Sequence, residues 1–179
     1  MKKFILSLAV AMCAVVSASA QDWTVGGRIG GGLQAVAEYS PEAGRYWEGR
    51  LGLSILNGAL ADFTALHNWN VATMDWTPSA GQWYLDAGVG ASIAGNGKFA
   101  AAGVVGDVKF GIKFNKVPIR LAIDVSPAFG YSHTYATTSE TSSTNDAGET
   151  VTVSTKVPAS GGFWRSGLLA GGISATYCF

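Results

Sequence analysis

The two histidines of this chain, His67 and His133, are the candidates for the general base of a hydrolytic site. On a β-strand, side chains that act together must be two residues apart, because successive side chains point to opposite faces. His133 has Tyr131 and Tyr135 at that spacing, and Ser132 points to the other face. His67 has no nucleophile at that spacing either. The sequence leaves a cross-strand partner open, but it shows no nucleophile–base pair, and we predict no catalytic residue.

Metal and phosphate sites are not indicated. Two histidines and two cysteines lie far apart along the chain and form no group with the spacing of metal ligands. The run Gly30–Gly32 is not followed by the Gly-Lys-Ser/Thr of a phosphate-binding loop. In a strand, glycine instead eases curvature and the close approach of a neighbouring strand. We therefore predict no metal and no cofactor.

Charged residues of both signs offer a third kind of chemistry, because they recur on one face of alternating segments. They could form an ion pathway, or they could pair with one another in a closed plug. If these segments are the strands of an eight-stranded barrel, its interior is only wide enough for side chains to fill. Unpaired charges inside it would be costly, so we predict a plug. We expect Arg120 to pair with Asp124 or Asp107. The predicted lumen charge network is Arg28, Glu38, Glu48, Arg50, Asp62, Asp86, Asp107, Lys109, Lys113, Arg120 and Asp124.

The elements that position these charges are long strands. From Trp23 to Tyr39 the odd positions are apolar, with aromatic residues at both ends, and the even positions carry the charges. Soluble sandwiches alternate in the same way. Several of these segments, however, run for ten or more residues, whereas strands in soluble proteins average about five or six and transmembrane strands need about 9–11. The pattern favours an all-β, eight-stranded antiparallel up-and-down transmembrane β-barrel.

Turn signals divide the chain into eight strands. Three short periplasmic turns are predicted, at Asn57-Gly58, 78–81 and 115–118. Four connections are predicted on the other side: segments 40–45 and 95–98, a break near Asn68 and a long extracellular loop near 136–162. If 59–77 formed a single strand, the count would be seven, which bacterial barrels disfavour. The predicted strands lie near 23–39, 46–56, 59–67, 69–77, 82–94, 100–114, 118–135 and 163–179.

The loop near 136–162 is rich in small hydroxyl residues, since 12 of its 27 residues are Ser or Thr. It could be disordered or form a hairpin above the membrane. The alternation of Val151 and Val153 with threonines favours the hairpin.

Residues 1–20 are predicted to be a cleaved signal peptide. Lys2 and Lys3 precede an apolar run, and Ala18-Ser19-Ala20 matches the small-x-small cleavage pattern. The remaining residues, 21–179, form the predicted barrel domain. They hold 10 basic and 12 acidic residues, which argues against a nucleic-acid partner because a phosphate-backbone binder needs a basic surplus.

The chain ends in Tyr177-Cys178-Phe179, with Ile173 on the same strand face as the two aromatic residues. Together with the segments 74–78 and 113–119, this end resembles small outer-membrane β-barrel proteins of Gram-negative bacteria with the eight-stranded OmpA/OmpX-like architecture. The resemblance implies an outer-membrane location. It also implies that Ile173, Tyr177 and Phe179 form the signal read by the barrel-assembly machinery.

Function is less determined than location. The leading hypothesis is a non-enzymatic, monomeric barrel with a plugged lumen, surrounded by outer-membrane lipids including lipopolysaccharide. Its role would be structural, or it would interact with partners at the cell surface through its loops. The alternatives are a lipid A-modifying enzyme of the same architecture and, third, a small-solute pore.

Overall fold

The computed structural model describes residues 22–54, 60–144, 150–165 and 170–179, and the predicted signal peptide lies outside them. No helix in these ranges is long and apolar enough to cross a membrane. The described residues form twelve strands: β1 (Trp23–Ile29), β2 (Leu33–Glu42), β3 (Arg45–Ser54), β4 (Leu60–Thr77), β5 (Gly81–Asn96), β6 (Phe99–Phe114), β7 (Ile119–Val125), β8 (Ala128–Thr134), β9 (Thr137–Thr144), β10 (Thr150–Val157), β11 (Ser160–Arg165) and β12 (Gly171–Cys178).

Eight of these strands close into an antiparallel barrel, which confirms the predicted all-β, eight-stranded antiparallel barrel. The ring runs from β1 through β2, β3, β4, β5, β6 and β7 to β12, and β12 pairs again with β1. β8 follows β7 and pairs with the first half of β6, from Phe99 to Val105, whereas β7 pairs with the second half. β11 pairs in turn with β8. We call the end where β1 begins and β12 ends the terminal end, and the opposite end the loop end.

The segment predicted to be one first strand is a hairpin. β1 and β2 are joined by Gly30–Gly32, where the Gly30 N–H donates to the Gly32 carbonyl over 3.0 Å. The prediction was wrong for a geometric reason. A three-residue turn pairs Ile29 with Leu33, so outward residues keep odd numbers on both strands. The alternation therefore continues in phase through the turn and does not reveal it.

The predicted break near Asn68 does not exist. β4 runs without interruption, and Asn68 is fully buried in the middle of it. Register shifts follow at Asn70/Ala72 and at Met74/Thr77. Each shift changes which face successive residues occupy, and this explains why 69–77 fits strict alternation poorly. The missed hairpin adds one strand and the absent break removes one, so the count of eight stands.

As a result of these two corrections, some turns lie at the opposite end of the barrel from the predicted one. The turn at 40–45 was predicted on the loop side, but Ala43 and Gly44 connect β2 to β3 at the terminal end. Gly44 has a φ of +79°, which glycine adopts without strain. Asn57-Gly58 lies outside the described residues. The strand ends that flank it, Ser54 and Leu60, pair at the loop end rather than at the terminal end.

The Ser/Thr-rich segment contains the favoured hairpin. β9 and β10 pair from Thr137↔Val157 to Thr144↔Thr150, and they form a two-stranded sheet separate from the barrel. The hairpin follows β8 and precedes β11, so it extends from the loop end.

Candidate functional site

The inward face of the barrel carries the candidate site, and glycines there make room for long side chains. A Cβ at Gly52 would overlap the Asp62 carboxylate, and one at Gly172 would overlap the Arg28 guanidinium. Gly111 likewise accommodates the phenol of Tyr84. The absence of a side chain at one inward position thus allows a charged or aromatic residue of the neighbouring strand to cross the narrow interior.

At the loop end, Arg28 forms the first part of the network. Its Nε and Nη2 donate to both carboxylate oxygens of Asp124, at 2.6–3.0 Å. Its Nη1 donates to Gln34 Oε1 over 2.7 Å, and the Gln34 amide donates in turn to Asp62 over 2.7 Å. Both partners of the Arg28–Asp124 pair are buried, and such two-point contacts between ions are the stronger kind of hydrogen bond.

In the middle of the barrel, Arg50 hydrogen-bonds to two acids and lies 3.8 Å from a third, Asp124. It donates to Glu48 on its own strand and to Asp107 across the interior, the latter over 3.0 Å. Its third hydrogen bond is to Ser126 Oγ at 2.8 Å. The Ser126 hydroxyl contacts both Asp107 and Asp124, so it links this group to the loop-end pair.

Lys109 lies between two acids that face each other. Glu38 and Glu48 are direct cross-strand partners of β2 and β3, an arrangement that repels when nothing neutralises it. The Lys109 Nζ donates to Glu38 over 3.0 Å and to Glu48 over 2.6 Å. All three side chains are at least 98% buried. Asn68 donates a further bond to Glu48 over 2.8 Å.

Toward the terminal end, Arg120 completes the network. It donates to Glu38 over 2.8 Å and approaches Asp86 at 3.4 Å. Its guanidinium lies 4.5 Å from the ring centre of Tyr84 and 5.5 Å from that of Tyr46, which are distances for cation–π attraction. The Tyr46 hydroxyl also donates to Asp86 over 2.8 Å.

The structure brings together ten of the eleven predicted lumen charges and leaves one out. Lys113 is exposed at the terminal end, and no acid of the described ranges lies within ion-pair distance of it. The expected partners of Arg120 were also wrong, because Asp124 binds Arg28 and Asp107 binds Arg50. The alternation assigns a face to each residue, but it does not fix which cross-strand neighbour a side chain reaches.

Several network members were missed because they are uncharged. They share inward, even-numbered positions, on the strands or, for Ser126, directly after β7, and that position was the available signal. They are Gln34, Tyr46, Asn68, Asn70, Tyr84 and Ser126.

The network separates two cavities. The larger, about 470 Å³, opens at the terminal end and reaches inward to Tyr46, Asp86 and Arg120. The smaller, about 280 Å³, lies toward the loop end and is lined by Arg28 and Arg50, among others. Salt bridges and hydrogen bonds fill the space between them. This arrangement can exclude solutes and hold opposite walls of the barrel together.

The outward face is apolar around the ring. Residues such as Val89, Val104 and Ile123 are 57–58% exposed. Aromatic residues cluster on this face at both ends. At the terminal end Trp83 stacks on Phe110 at 5.3 Å, and at the loop end Tyr131 meets Phe163 at 5.7 Å.

Both histidines lie among aromatic residues near the ends of the outward face. His67 is 4.6 Å from the ring of Trp47, and His133 is 5.1 Å from that of Tyr135. Within the described ranges, no three His, Cys, Asp or Glu residues are grouped so that they could hold a metal ion.

Comparison with known protein families, with curated proteins and with solved structures finds no match to this chain.

Proposed function

We propose that this chain is an integral barrel of the outer membrane of a Gram-negative bacterium, closed to solutes and exported by means of the segment 1–20. It would be non-enzymatic, and it would act as a structural protein or through contacts of its loop end at the cell surface. The observation that carries this proposal is the inversion of the fold, with paired charges inside the barrel and exposed apolar side chains outside.

The outward face supports a membrane location. Large contiguous apolar surfaces are rare on soluble proteins, and here apolar side chains are exposed on successive strands around the ring. The aromatic residues at both ends suit the two interfaces of a bilayer, where amphipathic rings are favoured. A closed ring also leaves no strand edge in the hydrocarbon, since β12 pairs with β1.

The interior supports a closed barrel rather than a pore. Arg50 and Lys109 both reach acids of other strands across the lumen, and their side chains are 2% exposed. An open channel would need water along these groups. In the proposed orientation the terminal end faces the periplasm. The β9–β10 hairpin then extends beyond the lipopolysaccharide-containing leaflet, where a partner could meet it.

A charge placed on the outward face tests the membrane location. Val108 lies on the outward face of β6 between Ala87 and Val125, and we expect Val108→Arg to lower the free energy of unfolding by about 2–4 kcal/mol, as for charges at the bilayer midplane. The same change at Val117, in the terminal-end turn, should cost about 0–1 kcal/mol. Urea unfolding in lipid vesicles measures both. Equal, small effects would indicate a soluble barrel, because both positions would then face water.

Location and closure can be measured separately. Cell fractionation should place the chain in the outer membrane, and its recovery in the soluble periplasm would overturn the proposal. Planar-bilayer recordings of the refolded protein should show no defined conductance steps, and such steps would favour the pore. Mass spectrometry of lipid A, with and without the protein, should show no modification. A modified lipid A would favour the enzyme.

The predicted assembly signal gives a further test. The Phe179 N–H donates to the Trp23 carbonyl over 3.2 Å, and the ring of Phe179 lies 5.0 Å from that of Tyr177. Removing Phe179 costs little buried area, but we expect it to impair recognition and barrel closure together. A chain ending at Cys178 should be exported, yet accumulate in the periplasm or be degraded. Normal outer-membrane levels with heat-modifiable gel mobility would contradict the assigned signal.

A further inference from the structure

One wall of the cavity at the terminal end, which has a volume of about 470 Å³, carries three neighbouring hydrogen-bond donors. Gln82, Lys113 and Arg120 line it from three adjacent strands, β5, β6 and β7. They are register partners, since Gln82 pairs with Lys113 and Lys113 pairs with Arg120. The backbone positions that carry an amide, an ammonium and a guanidinium are thus adjacent on the wall of the cavity, with Lys113 exposed at the mouth and Arg120 reaching inward. We call these three residues the donor row.

The donor row carries positive charge that the protein does not fully neutralise. Two cations directly opposite each other on neighbouring strands repel. Arg120 is compensated by Glu38 and Asp86, and the oxygens of Asp86 also accept from Tyr46 and Asn70. For Lys113, the ranges that the structure describes offer no acid within ion-pair distance.

The acids at the outer rim of this cavity lie on the other side of the ring. Asp22 precedes β1, and Glu42 ends β2 and lies 4.0 Å from Arg45. Neither forms an ion pair with the donor row. Glu38 and Asp86 are the carboxylates that contact the row, both through Arg120, at 2.8 and 3.4 Å. The other bonds of Asp86 direct it toward Tyr46 and Asn70.

We propose that the donor row is a binding site for an anionic group, a phosphate or a carboxylate. The Lys113 ammonium and the Arg120 guanidinium would hold the anion between them, and the Gln82 amide would donate a further hydrogen bond. Charge-assisted bonds of this kind are stronger than neutral ones, and the anion would relieve the repulsion between the two cations. The ring of Tyr84 beneath Arg120 keeps the guanidinium in place.

The same chemistry can come from a dissolved anion or from a phospholipid headgroup at the membrane surface. Inorganic phosphate is therefore the first probe, titrated into refolded protein in a sugar-headgroup detergent at constant ionic strength. Backbone amide NMR should show saturable shifts at the donor row. Lys113→Gln should weaken binding about tenfold, which corresponds to the loss of about 1.4 kcal/mol. Lys113 is exposed, so this variant should keep the fold and its heat-modifiable mobility.

Lys116→Gln is the matched control, because it removes the same charge from the adjacent turn without touching the donor row. It should bind phosphate within twofold of the unmodified protein. Shifts that do not saturate, that spread over all exposed basic residues, or that persist unchanged in Lys113→Gln would overturn the proposal.

A second arm identifies the source of the anion. The titration is repeated in nanodiscs of phosphatidylcholine, with and without phosphatidylglycerol. If an anionic headgroup occupies the site, phosphatidylglycerol should compete and weaken phosphate binding several-fold. Unchanged binding in both nanodiscs assigns the site to a soluble anion. Loss of saturable binding in every membrane, without competition by phosphatidylglycerol, counts against the site.

Discussion

Replacing Lys109 by methionine is expected to lower the free energy of unfolding of the barrel by about 3–5 kcal/mol, the usual cost of removing one partner from a buried ion pair. The ammonium is the group that separates Glu38 from Glu48, which face each other across β2 and β3. Without it, two buried carboxylates at paired positions would repel each other. Urea unfolding in lipid vesicles, followed by tryptophan fluorescence, measures the difference.

Lys113→Met is the control for this prediction. It makes the same substitution on the same strand face, four residues away, at a position that is exposed and unpaired within the described ranges. Its effect should stay within about 0.5 kcal/mol. A double variant, Lys109→Met with Glu48→Gln, should recover part of the lost stability because one of the two repelling charges is gone. Equal stability of the Lys109 and Lys113 variants would show that the buried pairs do not hold the barrel together.

Gly26→Ala is expected to prevent proper closure of the barrel. Gly26 lies on β1 opposite Thr176 of β12, where the first and last strands of the ring meet. A Cβ there would overlap the Ala175 carbonyl oxygen and the Thr176 Cα, which are backbone atoms that cannot move aside singly. The two strands must separate, and an opened strand pair leaves unsatisfied polar groups in hydrocarbon. We expect a loss of about 3 kcal/mol or failure to fold, since overpacking alone costs about 1–3 kcal/mol.

The neighbouring residue provides the control for closure. A Cβ at Gly27 would meet only the Gln34 carbonyl oxygen, at 3.8 Å, which is ordinary contact. Gly27→Ala should therefore fold and keep its heat-modifiable gel mobility, whereas Gly26→Ala should lose it. If both variants fold equally well, the seam between β1 and β12 is looser than these distances indicate.

The fold class and the face on which each strand residue lies could be predicted from the order of the residues. Period-two alternation over long segments placed Arg28, Glu48 and Lys109 inside and Val104 and Ile123 outside, because backbone geometry alone sends successive side chains to opposite faces. The same rule was insensitive to the turn at Gly30–Gly32. A loop with an odd number of residues preserves the phase of the alternation. One long strand and a hairpin therefore give the same pattern of apolar and polar residues.

Which side chains meet could not be predicted in this way, because it depends on how the strands pair in the closed barrel. Strand register brings Arg28 to Asp124, 96 residues away, and places Glu38 opposite Glu48 with Lys109 between them. It also leaves Lys113 at the mouth, although its inward position matches that of Lys109. Sequence alternation specifies a face but carries no information on the depth or partner of a side chain. Those depend on how far each strand is displaced along its neighbour when the ring closes, a property of the whole barrel rather than of any one segment.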